Sequence, residues 1–116
     1  MVMGSFLLSM IAGATAASGA PQGPVISPNA VRGKVIFKRM NCAVCHPGGE
    51  NSVNPKAPIK GAGFKREFAA DKSIEKVIRS GIAGTPMPAF NKTQIKDSEM
   101  QDLLAYIRSL TPKDCK

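Results

Sequence analysis

"NCAVCHPGG", Asn41–Gly49, places two cysteines three residues apart and follows the second directly with a histidine. His46 is the only histidine of the 116-residue chain. A structural disulfide between Cys42 and Cys45 would leave His46 idle. A thioredoxin-like redox pair needs a strand before the motif and a βαβ context, whereas the residues before Asn41 read as a helix. A zinc site needs four ligands. Cys42, Cys45, Cys115 and His46 would supply them, but the adjacent Cys45 and His46 are poorly placed to reach one tetrahedral ion together. The remaining chemistry is covalent attachment of haem, for which C-x-x-C-H is the recognised pattern. Each thiol adds across one vinyl group to make a thioether, and the following imidazole ligates the iron as the proximal histidine.

The opposite axial position has few claimants. With no second histidine, a bis-histidine site is excluded. Met1, Met3 and Met10 lie in the N-terminal segment read as a signal, Met40 is too close to the motif, and Met40 and Met100 both read as core. Met87 lies outside the helical stretches between Pro86 and Pro88, whose fixed φ lowers the loop's entropy and pins the thioether cheaply. The expected axial pair is therefore His46 and Met87. Two protein ligands close the iron to substrates, and methionine raises the potential. That combination suits electron transfer and not catalysis.

Working outward, Ser27 reads as an N-cap with Pro28 at the first helical position. Val31, Val35 and Met40, with Ile36 and Phe37, give an apolar stripe at helical spacing. Pro47 to Gly63 reads as a long loop, a length that usually has a functional reason. Phe64 to Ala70 reads as a short helix or turn. Asp71 or Ser73 caps the next helix, which carries Ile74, Val77, Ile78 and Ile82 and ends at Gly81 and Gly84. "GTPMPAF", Gly84–Phe90, is a second loop. The last helix starts near Asp97 or Ser98, where Ser98 and Gln101 have capping-box spacing. Its stripe is Met100, Leu103, Leu104, Ile107 and Leu110, and Pro112 stops it. No strand alternation appears, so the fold class is all-α.

Residues 1–20 are uncharged and contain an apolar run with small residues at its end, as in a secretory signal. Cleavage is expected near Ala16, Ala17 or Ala20, although no Lys or Arg precedes the run; an uncleaved anchor is the alternative. Residues 21–29 read as a linker and 30–116 as the domain. All 16 Lys and Arg and all 8 Asp and Glu lie beyond the apolar run, so the domain keeps the formal +8. The charges are scattered and aromatics make up only 5%, which argues against a nucleic-acid groove. A domain of roughly 95 residues has a thin core, and a buried cofactor would fill it.

"GKVIFKRMNCAVCH", "GTPMPAF" and "LLAYIRSL" occur in this order, and with them the chain, from about Ser27 to Leu110, resembles the class I cytochromes c, small monohaem electron carriers. The resemblance implies three to four helices wrapped around one covalently attached haem c, with the N- and C-terminal helices packed together. It implies that Gly33 and Phe37 cross the last helix near Tyr106. It also implies that a proline carbonyl, best matched by Pro55 with Pro58 as rival, accepts from the other ring nitrogen of His46. "NCAVCHPGGENSVNPK" with "MPAF" is most similar to the photosynthetic, plastocyanin-substituting branch and its relatives in non-photosynthetic bacteria. "SGIAGTPM" is longer than usual there and is similar to cytochrome subunits of respiratory oxidases or dehydrogenases.

The expected function is an exported, periplasmic electron carrier that is not an enzyme, monomeric, docking partners with acidic surfaces through Lys56, Lys60, Lys65 and Lys92. Membrane attachment would require an uncleaved N-terminus. Cys115 is left as a free thiol, a dimerising disulfide or a tail residue without a role. The competing function is a haem enzyme or gas sensor in which Met87 is displaced.

Overall fold

A computed structural model describes residues 13 and 26–115 of the chain; the signal or anchor expected over residues 1–20 lies, apart from Gly13, outside the described residues. Among the described residues five α-helices follow one another: α1 Pro28–Arg39, α2 Cys42–Cys45, α3 Gly61–Glu67, α4 Asp71–Ser80 and α5 Asp97–Ser109. A 3-10 turn over Pro47–Gly49 follows α2. Among the described residues there is no strand, and no helix is long and apolar enough to cross a membrane.

Ser27 caps α1 by accepting the Ala30 N–H at 3.2 Å, with Pro28 at the first helical position. The helix therefore begins inside the stretch read as linker. Its buried face is Ala30, Gly33, Ile36 and Phe37. Val31 and Val35, expected in the stripe, are 54% and 61% exposed. The helix turns Gly33 inward because only a residue without Cβ lets α5 approach. A Cβ there would stand 1.9 Å from the Asp102 carbonyl oxygen and 2.7 Å from Tyr106 Cβ. At the crossing Phe37 meets Tyr106 edge-on, with ring centroids 5.1 Å apart. Such aromatic pairs add about 0.5–1.5 kcal/mol beyond area burial. Arg32 pairs with Asp102 at 3.0 Å, and Arg39 pairs with Glu99.

The α5 stripe is the centre of the core: Met100 and Leu103 are fully buried, and Leu104 and Ile107 nearly so. Ile95, in the segment leading into α5, is also fully buried. The capping box falls two residues earlier than Ser98–Gln101: α5 starts at Asp97, and Glu99 Oε1 accepts the Lys96 N–H at 3.0 Å. Leu110 is the C-cap, and Pro112 follows just beyond it.

The long loop holds more helix than expected, because α3 begins at Gly61 and ends at Glu67. α4 starts at Asp71, buries Ile74 and Ile78, and ends at Gly81. Arg108 on α5 ties the α3–α4 junction down: it donates to the Phe68 carbonyl and pairs with Asp71 at 2.8 Å.

Candidate functional site

α1 stops at Arg39, and the chain must turn before α2. Asn41 makes the turn with φ +61°, the only non-glycine positive φ among the described residues, and asparagine is one of the few residues that tolerate this conformation. One turn of helix then carries Cys42 and Cys45. The His46 N–H bonds back to the Cys42 carbonyl at 2.8 Å.

The imidazole is oriented by its own chain. Its Nδ1 lies 2.9 Å from the Glu50 carbonyl oxygen. A carbonyl only accepts, so Nδ1 carries the proton and Nε2 keeps its lone pair for a metal. In this structure the Glu50 carbonyl takes the place expected for that of Pro55 or its rival Pro58. The 3-10 turn, with Gly48 at φ +61° and Gly49 at φ +90°, folds the backbone back so that Glu50 reaches the ring first. The returning loop is held by Asn51, whose Oδ1 accepts the Val53 and Asn54 N–H groups at 3.1 and 2.9 Å and whose Nδ2 donates to the Ala57 carbonyl at 3.0 Å.

Met87 arrives from the other end of the chain on a short loop, half-buried against the core. Its N–H donates to Thr85 Oγ1 and its carbonyl accepts from the Ile82 N–H, both at 3.2 Å.

Cys42, Cys45, His46 and Met87 line one cleft of about 1310 Å³, larger than the usual 300–1,000 Å³ of small-ligand sites. Its walls include Phe37, Phe64, Ile74, Phe90, Leu103 and Ile107, all members of the buried core. Met40 also lines it, so this methionine belongs to the cleft wall as well as packing on the core. Ile82 and Val44, both exposed, border it too. Pro55 is not among the lining residues; Pro58 is.

These residues fit a haem. Cys42 and Cys45 are free thiols with no disulfide between them. Burial pushes the Cys42 thiol up to about 11, and the neighbouring Cys45 adds to the rise. Burial disfavours the charged thiolate, so the thiol stays protonated against an apolar face. Among the described residues, no three His, Cys, Asp or Glu side chains gather to hold a metal ion, so the four-ligand zinc arrangement is not assembled. Cys115 sits elsewhere, its carbonyl accepting from Lys65 Nζ at 3.2 Å.

The four lysines named from the sequence separate. Lys56 and Lys60 border the cleft, and Lys60 is paired with Glu50 at 2.7 Å. Lys65 lines a different cavity, and Lys92 pairs with Asp97 at 3.4 Å. The sequence reading missed three contacts: the Glu50 carbonyl, the Asn51 hub and the Thr85 hydroxyl. A backbone carbonyl has no sequence signal. An asparagine or threonine ahead of a turn does have one, through its habit of bonding backbone groups two residues on.

Residues 28–107 match the family model described as cytochrome c oxidase, cbb3-type, subunit III. Cytochrome c6 of Synechocystis sp. is 36% identical over 83 residues, covering 71% of this chain and 66% of that protein. Cytochrome c6 of Nostoc sp. is 33% identical over 95 residues, covering 80% and 81%. Among solved structures, cytochrome c6 of the diatom Phaeodactylum tricornutum is similar with a TM-score of 0.56 and 31% identity, over 67% of this chain and 88% of that one. Outer membrane cytochrome F of Geobacter sulfurreducens is similar with a TM-score of 0.57 and 26% identity, over 69% and 99%.

Proposed function

This chain belongs to the class I monohaem c-type cytochromes, and from that premise we propose that it is an exported electron carrier whose iron is held between His46 and Met87. Its fold is the cytochrome c fold, it carries covalent haem c, and it is an electron-transfer protein. The observation that supports the residue assignment is the single cleft lined by Cys42, Cys45, His46 and Met87. When bound, the haem supplies reversible one-electron exchange at its iron.

The chain's own residues account for the rest. Cys42 and Cys45 would anchor the porphyrin, each thiol adding across one vinyl group to form a thioether. The Glu50 carbonyl fixes the ring of His46 and leaves Nε2 available. Pro86 and Pro88 stiffen the loop that presents Met87. The apolar cleft walls would exclude water from a bound haem, which limits rearrangement when its charge changes.

The partners are redox proteins. We take their docking faces to be acidic, meeting a basic domain at the cleft border, where Lys56 makes no ion pair among the described residues. The chain acts as a monomer outside the cytoplasm. A ligand-displacing enzyme or sensor is not favoured, since the similar proteins are cytochromes c6.

The test is an oxidised and reduced optical spectrum with a pyridine haemochrome assay, on wild type and Met87→Ala. Wild type should show a c-type spectrum with the weak far-red iron–sulfur band. Met87→Ala should keep the haem, lose the band and bind exogenous imidazole. Its potential should fall by on the order of 0.1 V, given that axial ligands span about 0.8 V. An unchanged band would place the sixth ligand elsewhere.

A further inference from the structure

Gly81 ends α4 with φ +65° and ψ −174°, a combination that is essentially restricted to glycine. A second constraint is independent of that backbone conformation. A Cβ built on Gly81 would meet Ala89 N, the Met87 carbonyl oxygen and the Pro88 carbonyl carbon, each at 2.8 Å. All three are backbone atoms, so no flexible side-chain end can swing away. The end of α4 is thus pressed onto the peptide units that carry Met87.

The same segment closes on itself through hydrogen bonds. The Ile82 N–H donates to the Met87 carbonyl at 3.2 Å. The Met87 N–H donates to Thr85 Oγ1 at 3.2 Å, and that hydroxyl donates in turn to the Ile82 carbonyl at 2.8 Å. Phe90, the next buried residue, donates its N–H to the Ile78 carbonyl of α4 at 2.9 Å. Both main-chain polar groups of Met87 are therefore committed within the turn, and the turn is docked on the helix end. Nothing in this arrangement is needed for the α1–α5 crossing.

We propose that Gly81 and Thr85 are positioning residues for the methionine sulfur: the close approach at Gly81 sets how far Met87 stands from α4, and the Thr85 hydroxyl locks the turn that aims it. The inference rests on Met87 being the sixth ligand and adds which residues keep it there. A side chain at Gly81 must push the Met87–Ala89 backbone away, so the ligated form is strained relative to one with the loop released. Exogenous ligands bind in proportion to that released population.

The test is made on the holoprotein, with imidazole as probe and the far-red band as the second readout. Gly81→Ala should keep covalent haem, weaken or remove the band, and raise apparent imidazole affinity about tenfold to hundredfold, the range that strain at a glycine-only position corresponds to. Thr85→Val keeps the shape without the hydroxyl and should raise imidazole affinity several-fold; Thr85→Ser, which retains the hydroxyl, should restore it. If Gly81→Ala fails to yield holoprotein, the Thr85 pair decides the matter alone. Unchanged imidazole affinity in Thr85→Val, or in a folded Gly81→Ala, would overturn the proposal. Met87→Ala separates the two readings. If that variant keeps the band, the sixth-ligand assignment fails. If it loses the band while the Gly81 and Thr85 variants bind imidazole as wild type does, only the positioning role fails.

Discussion

Where α1 crosses α5, protein meets protein: Gly33 lies against the Asp102 carbonyl and Tyr106 Cβ, Phe37 against Tyr106, Arg32 against Asp102. Across the cleft the buried faces of α3 and α4 look inward on the space between Cys42, Cys45, His46 and Met87. The half at the helix crossing is packed protein against protein, while the cleft half leaves about 1310 Å³ beside the same buried core, space that a haem would fill. Both halves use a glycine pressed onto a neighbouring backbone. Gly33 serves the helix crossing and Gly81 serves the ligand loop, so similar steric reasons have different consequences.

The largest expected effect comes from removing the cofactor's anchor. Cys45→Ser should lose most of the haem-bearing protein, scored by haem stain on a denaturing gel, with helicity by circular dichroism falling in parallel. A colourless variant with full helicity and a cooperative melt would break the comparison, because the cleft half would then stand without haem.

Gly33→Ala acts on the other half. The added Cβ collides with a main-chain oxygen that cannot move alone, so the cost belongs at the upper end of overpacking, about 3 kcal/mol. For a domain of this size that lowers the thermal midpoint by roughly 10–20 °C. The far-red band should persist below the transition. Its loss in native Gly33→Ala would show that the halves are not separable.

The smallest effect sharpens the picture at the crossing. The Arg39 hydrogen bond holds the Glu99 carboxyl below the usual carboxylate range, helped by the Lys96 N–H. A lowered folded-state value means that Glu99's contribution is present at neutral pH and lost as pH falls through that value. Glu99→Gln should therefore flatten the acid side of a plot of thermal midpoint against pH. A plot superimposable on wild type from neutral pH into acid would remove Glu99 from the account.

Much of this was legible in the sequence. The motif at Cys42–His46 and the proline-flanked Met87 pointed to the residues that the structure brings to one cleft. Helix α5 was readable because Met100, Leu103, Leu104 and Ile107 repeat with the helical period and all face the core. Helix α1 was misread at Val31 and Val35, since a stripe drawn through the valines ignores glycine, and the tightest contact on this helix is at Gly33. The Glu50 carbonyl beside His46 was not readable, where Pro55 was expected, because carbonyl geometry depends on how sharply the 3-10 turn folds, and side chains do not report that. The early start of α3 at Gly61 was hidden by the glycines and prolines around it.

The pairing of Arg32 with Asp102, 70 positions apart, also has a meaning for how the chain reaches this structure. Joining α1 to α5 there closes about three quarters of the described chain into a ring, at an entropic cost of about 4 kcal/mol beyond a constant. Once that ring is shut, Cys42, Cys45 and Met87 all lie on one closed loop, and every later contact spans a shorter free length. With its two ends joined, such a chain meets a haem ligand by local adjustment instead of a long-range search.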